Sequence, residues 1–278
     1  MTQTQQWYVD FHNQGYGVIK QALSASLLNQ LQQLSLQVME NTTALADNEQ
    51  QLERIAVGQY QGTRFVSRVN DLFLFAPQFI DLLAQPNIIQ IAEHIIGEPV
   101  LPIYESLLVK HPWDNAFDWH RDVNTNTTDT ILTVGVYLDD AYAEQGALKV
   151  LAGSHLNTKT VCNYKRDLTS GHIKAHHVDV KAAEVVFHHA RTIHGSNKQK
   201  SDSQRRTIYF EFRGLSHIHN NPNFPKRWVE QRQALVDTVK NAAQERRYDQ
   251  AIPSHFYDCK IIIDAAEYCF EPDCVADK

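Results

Sequence analysis

The sequence predicts a mainly β fold with flanking helices, in which the β part is a sandwich or barrel of the jelly-roll type. Between residues 100 and 214 the chain consists of short runs rich in β-branched and aromatic residues, and turn-forming residues separate most of them. Apolar residues at helical spacing occur instead before and after this region. Among such β folds, the jelly roll is the variant that holds metal sites in its mouth.

The chain shows no internal repeat and no linker long enough to divide it, so we predict one domain over residues 1–278. Its expected parts are a helical N-terminal flank over about 1–99, a β core over about 100–214 and a helical C-terminal flank over about 215–278.

The N-terminal flank is expected to begin with a short strand over residues 11–20. Ser24 is a suitable N-cap for a helix that runs to about Glu40, because apolar residues recur there at three- and four-residue intervals. Residues 77–96 predict two further helices, since Pro86 would interrupt a single one.

The β core and the last helix follow from the same patterns. The predicted strands are 101–110, 116–123, 130–138, 147–151, 176–180, 184–188 and 206–212. A helix is then predicted from about Pro225 to Arg246, with an apolar stripe that includes Trp228, Leu235 and Val239.

Composition narrows the possible partners. The formal net charge is −6, from 26 basic and 32 acidic side chains, which argues against a nucleic-acid partner because such a partner requires a basic face. The longest apolar run, Ile131 to Leu138, is far shorter than the roughly 20 residues that span a bilayer. The first residues carry neither a basic nor an apolar signal region, so we expect a cytoplasmic protein without a membrane segment. No pattern defines an oligomeric state.

A group of potential zinc ligands lies near the C-terminus. His255, Cys259, Cys269 and Cys274 have the right chemistry for zinc, but their spacing is not the paired C-x-x-C form. A structural zinc site is therefore not predicted.

The strongest chemical signal is the pair His120 and Asp122. Residues two apart on a strand project to the same face, so this imidazole and carboxylate would converge. His194 lies 194 − 122 = 72 residues later in a second apolar run and could add another imidazole. Two histidines and one carboxylate suit a non-haem Fe(II) oxygenase. Because the chain holds 14 histidines, spacing alone does not single out His194.

Several ordered motifs support this interpretation. The run from Gly146 to His155 resembles the G-x-L-x-V-L-P-G-S-H signature of the phytanoyl-CoA dioxygenase family, with Ala152 in place of the proline. The run from Glu184 to Ser196 and the following Arg205-Arg206 also resemble that family, although Ala183-Glu184 stands where Gly-Asp is common. The likeness extends from about residue 11 to residue 214.

The resemblance implies an Fe(II)- and 2-oxoglutarate-dependent dioxygenase on a double-stranded β-helix. It implies that His120, Asp122 and His194 bind the iron, and that O₂ and 2-oxoglutarate are used to hydroxylate a C–H bond of a small molecule, with release of succinate and CO₂. Halogenating relatives have Ala or Gly at the carboxylate position, so Asp122 favours hydroxylation.

The resemblance also suggests which residues hold the cosubstrate. In relatives a basic residue follows the distal histidine by eleven positions, and 205 − 194 = 11 places Arg205 there. A guanidinium binds a carboxylate through two parallel hydrogen bonds. Arg206 is the competitor, because neighbours on a strand face opposite sides and only one can point inward. Ser196 occupies the position of a hydroxyl that contacts the same carboxylate.

Five other side chains have weaker expectations. Arg121 flanks His120 and Asp122 and is a candidate substrate contact, but strand alternation places it opposite its two neighbours, so an exposed side chain is at least as well supported. Arg64 and Arg68 lie in a segment that approaches the site in relatives and are candidates for binding an anionic substrate. His188 shares strand parity with His194 and is a candidate neighbour of the metal ligands, whereas His189 is expected to be exposed.

Two other kinds of protein remain compatible with the sequence. One is a non-catalytic or differently metallated jelly-roll binding protein that retains the three metal-binding residues. The other is a cupin-like metal enzyme that does not use 2-oxoglutarate. Turnover of 2-oxoglutarate without substrate separates a dioxygenase from both.

Overall fold

Two antiparallel sheets form the centre of the molecule. The computed structural model describes residues 3–45, 53–85, 88–123, 129–200 and 202–245. The strands are β1 (Tyr16–Ile19), β2 (Ile55–Tyr60), β3 (Thr63–Asn70), β4 (Val100–Lys110), β5 (Phe117–His120), β6 (Leu132–Tyr137), β7 (Leu148–Val150), β8 (His176–Val178), β9 (Val185–His189), β10 (His194–Ser196) and β11 (Arg205–Gly214).

Helices cover this β centre and connect its strands. They are α1 (Gln3–Gln14), α2 (Ala25–Leu45), α3 (Leu72–Phe75), α4 (Ile89–Ile96), α5 (Val161–Thr169), α6 (Leu215–Asn220) and α7 (Lys226–Glu245), with 3-10 helices at Pro77–Leu82 and Ser154–Leu156.

The strand order is that of a jelly roll. Seven strands form one sheet in the order β1-β9-β6-β11-β4-β3-β2, and four form the other in the order β5-β10-β7-β8. A cavity lies between the sheets, lined by side chains from both. Two facing sheets with helices around them confirm the predicted fold class.

The N-terminal flank is not purely helical. The hairpin β2–β3, which was not predicted, pairs with β4 and extends the large sheet. Its turn is formed by Gln61 and Gly62, both at positive φ (49° and 82°), as a tight hairpin turn requires. The predicted strand over residues 11–20 is wrong in its first part, because α1 continues to Gln14 before β1 begins.

The long helices bury the apolar faces that their sequences predict. Leu31 and Val38 of α2 are buried, and so are Trp228, Leu235 and Val239 of α7. This burial keeps the outer face of the large sheet dry and leaves its inner face to line the cavity.

The structure also bears on the prediction about membrane segments, whereas some other predicted features lie outside the described residues. Within the described ranges, no helix combines the length and apolar character needed to cross a membrane. Pro86 and the group His255, Cys259, Cys269 and Cys274 lie outside the described residues.

Candidate metal and cosubstrate site

The structure brings His120, Asp122 and His194 together. His194 on β10 is paired directly with His120 on β5. Asp122 lies just past the end of β5, where its backbone N–H donates to the carbonyl of Ala190 (2.9 Å). The potential ligand atoms of the three residues lie within 4.8 Å of one another. From Asp122 Oδ1, the distances are 3.8 Å to His120 Nε2 and 3.4 Å to His194 Nε2.

Backbone carbonyls fix the orientation of both imidazoles. His120 Nδ1 lies 2.8 Å from the carbonyl of Asp118, and His194 Nδ1 lies 2.9 Å from the carbonyl of Thr192. A carbonyl only accepts, so each Nδ1 carries the proton and each Nε2 presents its lone pair to the centre of the group. This is the form in which histidine binds a metal ion.

The carboxylate is oriented in the same way. Its Oδ2 accepts hydrogen bonds from Thr133 Oγ1 (2.9 Å) and His188 Nε2 (3.1 Å). Oδ1 therefore faces the two imidazoles. His188 is buried on β9, and the structure places it beside Asp122, as its strand parity suggested.

Electrostatics keep Asp122 and His194 in their metal-binding forms at neutral pH. Burial alone would raise the pKa of Asp122, but the imidazoles of His194, His188 and His120 hold it well below its ordinary value. Burial, together with the neighbouring His120 and His188, lowers the pKa of His194 to about 3. At pH 7 the site thus offers a carboxylate and a neutral imidazole, which is what a divalent metal requires.

The three residues open into a cavity of about 730 Å³, which includes its open mouth. The cavity is lined by Arg68, Tyr104, Ser106, Leu108, Phe117, His120, Asp122, Thr133, Leu148, His194, Gly195, Ser196, Arg205 and Tyr209. Among the described residues of this lining, Asp122 is the only acidic one, whereas Arg68 and Arg205 are basic. A metal ion at the three ligands would make the cavity more positive still.

Arg205 lies inside the cavity wall. It is 3% exposed, its Nη1 donates to the carbonyl of Gly146 (2.7 Å), and its guanidinium lies 5.7 Å from the centre of the Tyr137 ring. Arg205 Nε is buried and has no hydrogen-bond partner within the part of the chain that the structure describes. A buried guanidinium with an unused donor fits a carboxylate of a bound ligand.

Arg206 points away from the cavity. It forms an ion pair with Asp139 (2.6 Å from Nη2 to Oδ1), and its Nη1 donates to Ser35 Oγ (3.0 Å) and to the carbonyl of Gln32 (3.0 Å). Arg206 therefore ties β11 to α2, and it is not among the residues that line the cavity.

Two sequence-based expectations of exposure are wrong. Arg121 is 1% exposed, and it donates to the carbonyls of Arg191 (2.9 Å) and Lys159 (2.9 Å). His189 is also buried, and its ring stacks on that of Phe11. Strand parity correctly placed both away from the cavity, but loops and α1 cover them on that side.

Sequence reasoning also missed Lys110. Its side chain is buried, and its Nζ donates to Ser196 Oγ (2.6 Å) and to the carbonyl of Asn197 (2.6 Å). Lys110 and Ser196 are 86 residues apart in the chain, so no local pattern would have linked them.

Of the two arginines proposed for an anionic substrate, Arg68 lines the cavity and Arg64 does not.

Comparison with known proteins adds a family relationship. The family model described as "Phytanoyl-CoA dioxygenase (PhyH)" matches residues 11–207. A probable alpha-ketoglutarate-dependent hypophosphite dioxygenase of Stutzerimonas stutzeri is 27% identical over 165 residues, which are 52% of this chain and 56% of that protein. The match thus spans little more than half of that relative. A probable phytanoyl-CoA dioxygenase of Caenorhabditis elegans is 20% identical over 224 residues, or 71% of each chain.

Solved structures show the same fold. AviO1 from Streptomyces viridochromogenes Tue57 superposes with a TM-score of 0.65 at 24% identity, covering 78% of this chain and 97% of that chain. EctD from S. alaskensis with bound Fe superposes with a TM-score of 0.66 at 18% identity, covering 78% of each chain.

Proposed function

The chain belongs to the phytanoyl-CoA dioxygenase family, and on that premise we propose that it is an Fe(II)- and 2-oxoglutarate-dependent dioxygenase that hydroxylates a small molecule. The observation that carries the proposal is the presence, in one cavity, of a His-Asp-His group and a buried arginine with an unused donor. Neither a cupin-like enzyme without 2-oxoglutarate nor a simple metal-binding protein needs that arginine.

His120, Asp122 and His194 would hold the iron. Three protein ligands leave coordination positions open for cosubstrate and O₂, which suits non-haem oxygenases. Bound iron would couple decarboxylation of 2-oxoglutarate, giving succinate and CO₂, to oxidation of the substrate. The role of the chain is to orient the ligands through Thr133 and His188 and to hold both organic molecules beside the metal.

Arg205 and Ser196 would bind the far carboxylate of 2-oxoglutarate. Both line the cavity, on β11 and β10. Arg206 would serve the structure instead, since its guanidinium is engaged by Asp139. The presence of Asp122 leaves no free position for a halide, so hydroxylation is the favoured outcome.

The substrate would carry an anionic group. Arg68 lies beside Leu108, to which it is paired in the sheet, and both line the cavity. Among the described residues, the exposed Arg68 guanidinium has no hydrogen bond or ion pair. Arg68 is two strands away from Arg205, and strands are about 4.8 Å apart, so it is well placed for an anion other than the one at Arg205. The name of the Stutzerimonas relative indicates that a small anion, hypophosphite, can be the substrate of a similar protein.

Anaerobic titration of the purified protein with Fe(II) and 2-oxoglutarate tests the central proposal. We expect the weak visible charge-transfer band of iron chelated by 2-oxoglutarate, because the cavity provides both the metal ligands and Arg205. We also expect slow formation of succinate in air without substrate. If iron binds and neither signal appears, the dioxygenase assignment fails, and the binding-protein or cupin interpretation replaces it.

The anionic substrate is tested with matched pairs of compounds. The assay measures how far each compound stimulates succinate formation. The compounds are candidate carboxylates and phosphonates, each paired with its neutral amide or ester, and hypophosphite as the simplest anion. We expect stimulation by anionic members only, and Arg68→Ala to raise their KM by roughly tenfold or more, the effect of losing one charged hydrogen bond. Arg64→Ala, on the same strand but outside the lining, is the control. Equal stimulation by neutral members would contradict the proposal.

A further inference from the structure

Lys110 and Arg205 form a pair of buried positive charges next to the cavity, which is lined by Arg205 and by Ser196, the hydrogen-bond partner of Lys110. They occupy directly opposite positions on β4 and β11, so their side chains share the inner face of the large sheet. Lys110 is 1% exposed and Arg205 is 3% exposed. Within the described residues, neither forms an ion pair with a carboxylate, although Asp114 acts on Lys110 from a distance.

Holding two such charges together costs free energy. Burial, and to a lesser degree the charge of Arg205, lowers the pKa of Lys110 to about 8. Buried cations without a partner are rare in proteins because their desolvation is not repaid. An anion bound to Arg205 and Ser196 would provide the missing attraction for both charges.

Lys110 also controls the direction of the Ser196 hydroxyl. The Lys110 ammonium has only donors, so Ser196 Oγ accepts the 2.6 Å hydrogen bond between them. The hydroxyl proton of Ser196 is then available for a different acceptor. Because Ser196 lines the cavity, that acceptor can be an oxygen of a bound ligand.

Gly146 completes the arrangement. Its carbonyl accepts from Arg205 Nη1, and a side chain at this position would place Cβ 2.9 Å from Lys110 Cε and 3.0 Å from the carbonyl oxygen of Asn197. Its φ of +67° also favours glycine. The first glycine of the run Gly146–His155 therefore leaves room for Lys110 and orients Arg205 at the same time.

We propose that Lys110 is a positioning residue of the cosubstrate site, which holds Ser196 as a donor and adds a second positive charge beside Arg205. The charge of Lys110 then strengthens the preference of this subsite for a distal carboxylate over an alkyl end of the 2-oxo acid. This inference rests on the proposed function, because it concerns the way that 2-oxoglutarate is recognised.

The test is Lys110→Met in the full chain, which keeps an unbranched side chain and removes the charge. We expect the Kd for 2-oxoglutarate, measured by anaerobic titration of the Fe(II) protein, to rise roughly 10- to 100-fold, the effect of losing a charged hydrogen bond and its neighbouring charge. The Fe(II) affinity without 2-oxoglutarate, and kcat at saturating 2-oxoglutarate, should change much less. Lys149→Met is the matched control, since Lys149 lies over the Trp119 ring (4.4 Å), whereas it is Lys110 that donates to Ser196.

A double-mutant cycle separates positioning from a general structural role. If Lys110 acts through Ser196, then Lys110→Met combined with Ser196→Ala should weaken 2-oxoglutarate binding much less than the two single effects added together. We also expect Lys110→Met to reduce the preference of the protein for 2-oxoglutarate over 2-oxobutyrate. Additive effects, or an unchanged preference, would overturn the inference.

The outcomes distinguish this inference from the proposed function. If the unmodified protein binds 2-oxoglutarate and Lys110→Met binds it equally well, only the role of Lys110 is wrong. If the unmodified protein shows no binding of 2-oxoglutarate, both fail. Should Lys110→Met not fold, as thermal unfolding would show, Ser196→Ala alone still tests the subsite, because the inference requires it to weaken 2-oxoglutarate binding.

Discussion

Replacing Asp122 with alanine is expected to remove Fe(II) binding in the micromolar range and to reduce succinate formation below detection. Asp122 provides the only carboxylate of the three ligands, and its Oδ1 lies 3.8 Å from His120 Nε2 and 3.4 Å from His194 Nε2. Changes outside the ligand set of metal sites already cost roughly 10- to 100-fold in affinity, so loss of a ligand should cost more. Anaerobic Fe(II) titration, followed by a succinate assay in air, measures both effects.

A milder substitution beside Asp122 tests whether the loss of Fe(II) affinity comes from the metal site. Thr133→Val removes the hydrogen bond to Asp122 Oδ2 and retains the size and shape of the side chain, so we expect a drop of roughly tenfold in Fe(II) affinity. Thr207→Val is its control, because Thr207 Oγ1 is buried on β11 without a partner in the described residues. If Asp122→Ala retained normal iron affinity, the metal centre would have to lie elsewhere.

The second large effect is expected from Arg205→Ala, which should raise the KM for 2-oxoglutarate by roughly 100-fold or more, since it removes a buried charge-assisted contact. The Fe(II) affinity measured without 2-oxoglutarate should stay within a few-fold, because Arg205 does not contact the three metal ligands. Arg205→Lys should restore little, since a lysine cannot donate to the carbonyl of Gly146 and to a carboxylate in the same planar geometry.

Arg206→Ala is the matched control for this result. It removes the ion pair with Asp139 and the hydrogen bond to Ser35, both on the outer side of β11. We expect a lower melting temperature and an unchanged KM for 2-oxoglutarate. If Arg206→Ala raised the KM for 2-oxoglutarate and Arg205→Ala did not, Arg206 would be the residue that binds the cosubstrate. The cavity would then not be the active site.

Strand periodicity explains why much of the site was predictable. Parity placed His120 and Asp122 on one face and allowed only one of Arg205 and Arg206 to point inward, and both features hold in the structure. The resemblance to the phytanoyl-CoA dioxygenase family, now established over residues 11–207, supplied His194 as the third member. These features depend on local alternation and on ordered motifs, which a linear sequence contains.

The remaining features depend on which distant segments meet. Parity states which way a side chain points but not what covers that side, so Arg121 and His189 were expected to be exposed and are buried. The contact between Lys110 and Ser196 joins β4 of the large sheet to β10 of the small sheet, so it depends on how the two sheets face each other. The hairpin β2–β3 brings Arg68 to the cavity. The sequence by itself thus determined the fold class and the metal-binding pattern. Only the packed sheets decided the electrostatics of the cavity, because burial and charge pairing are properties of residues far apart in the chain.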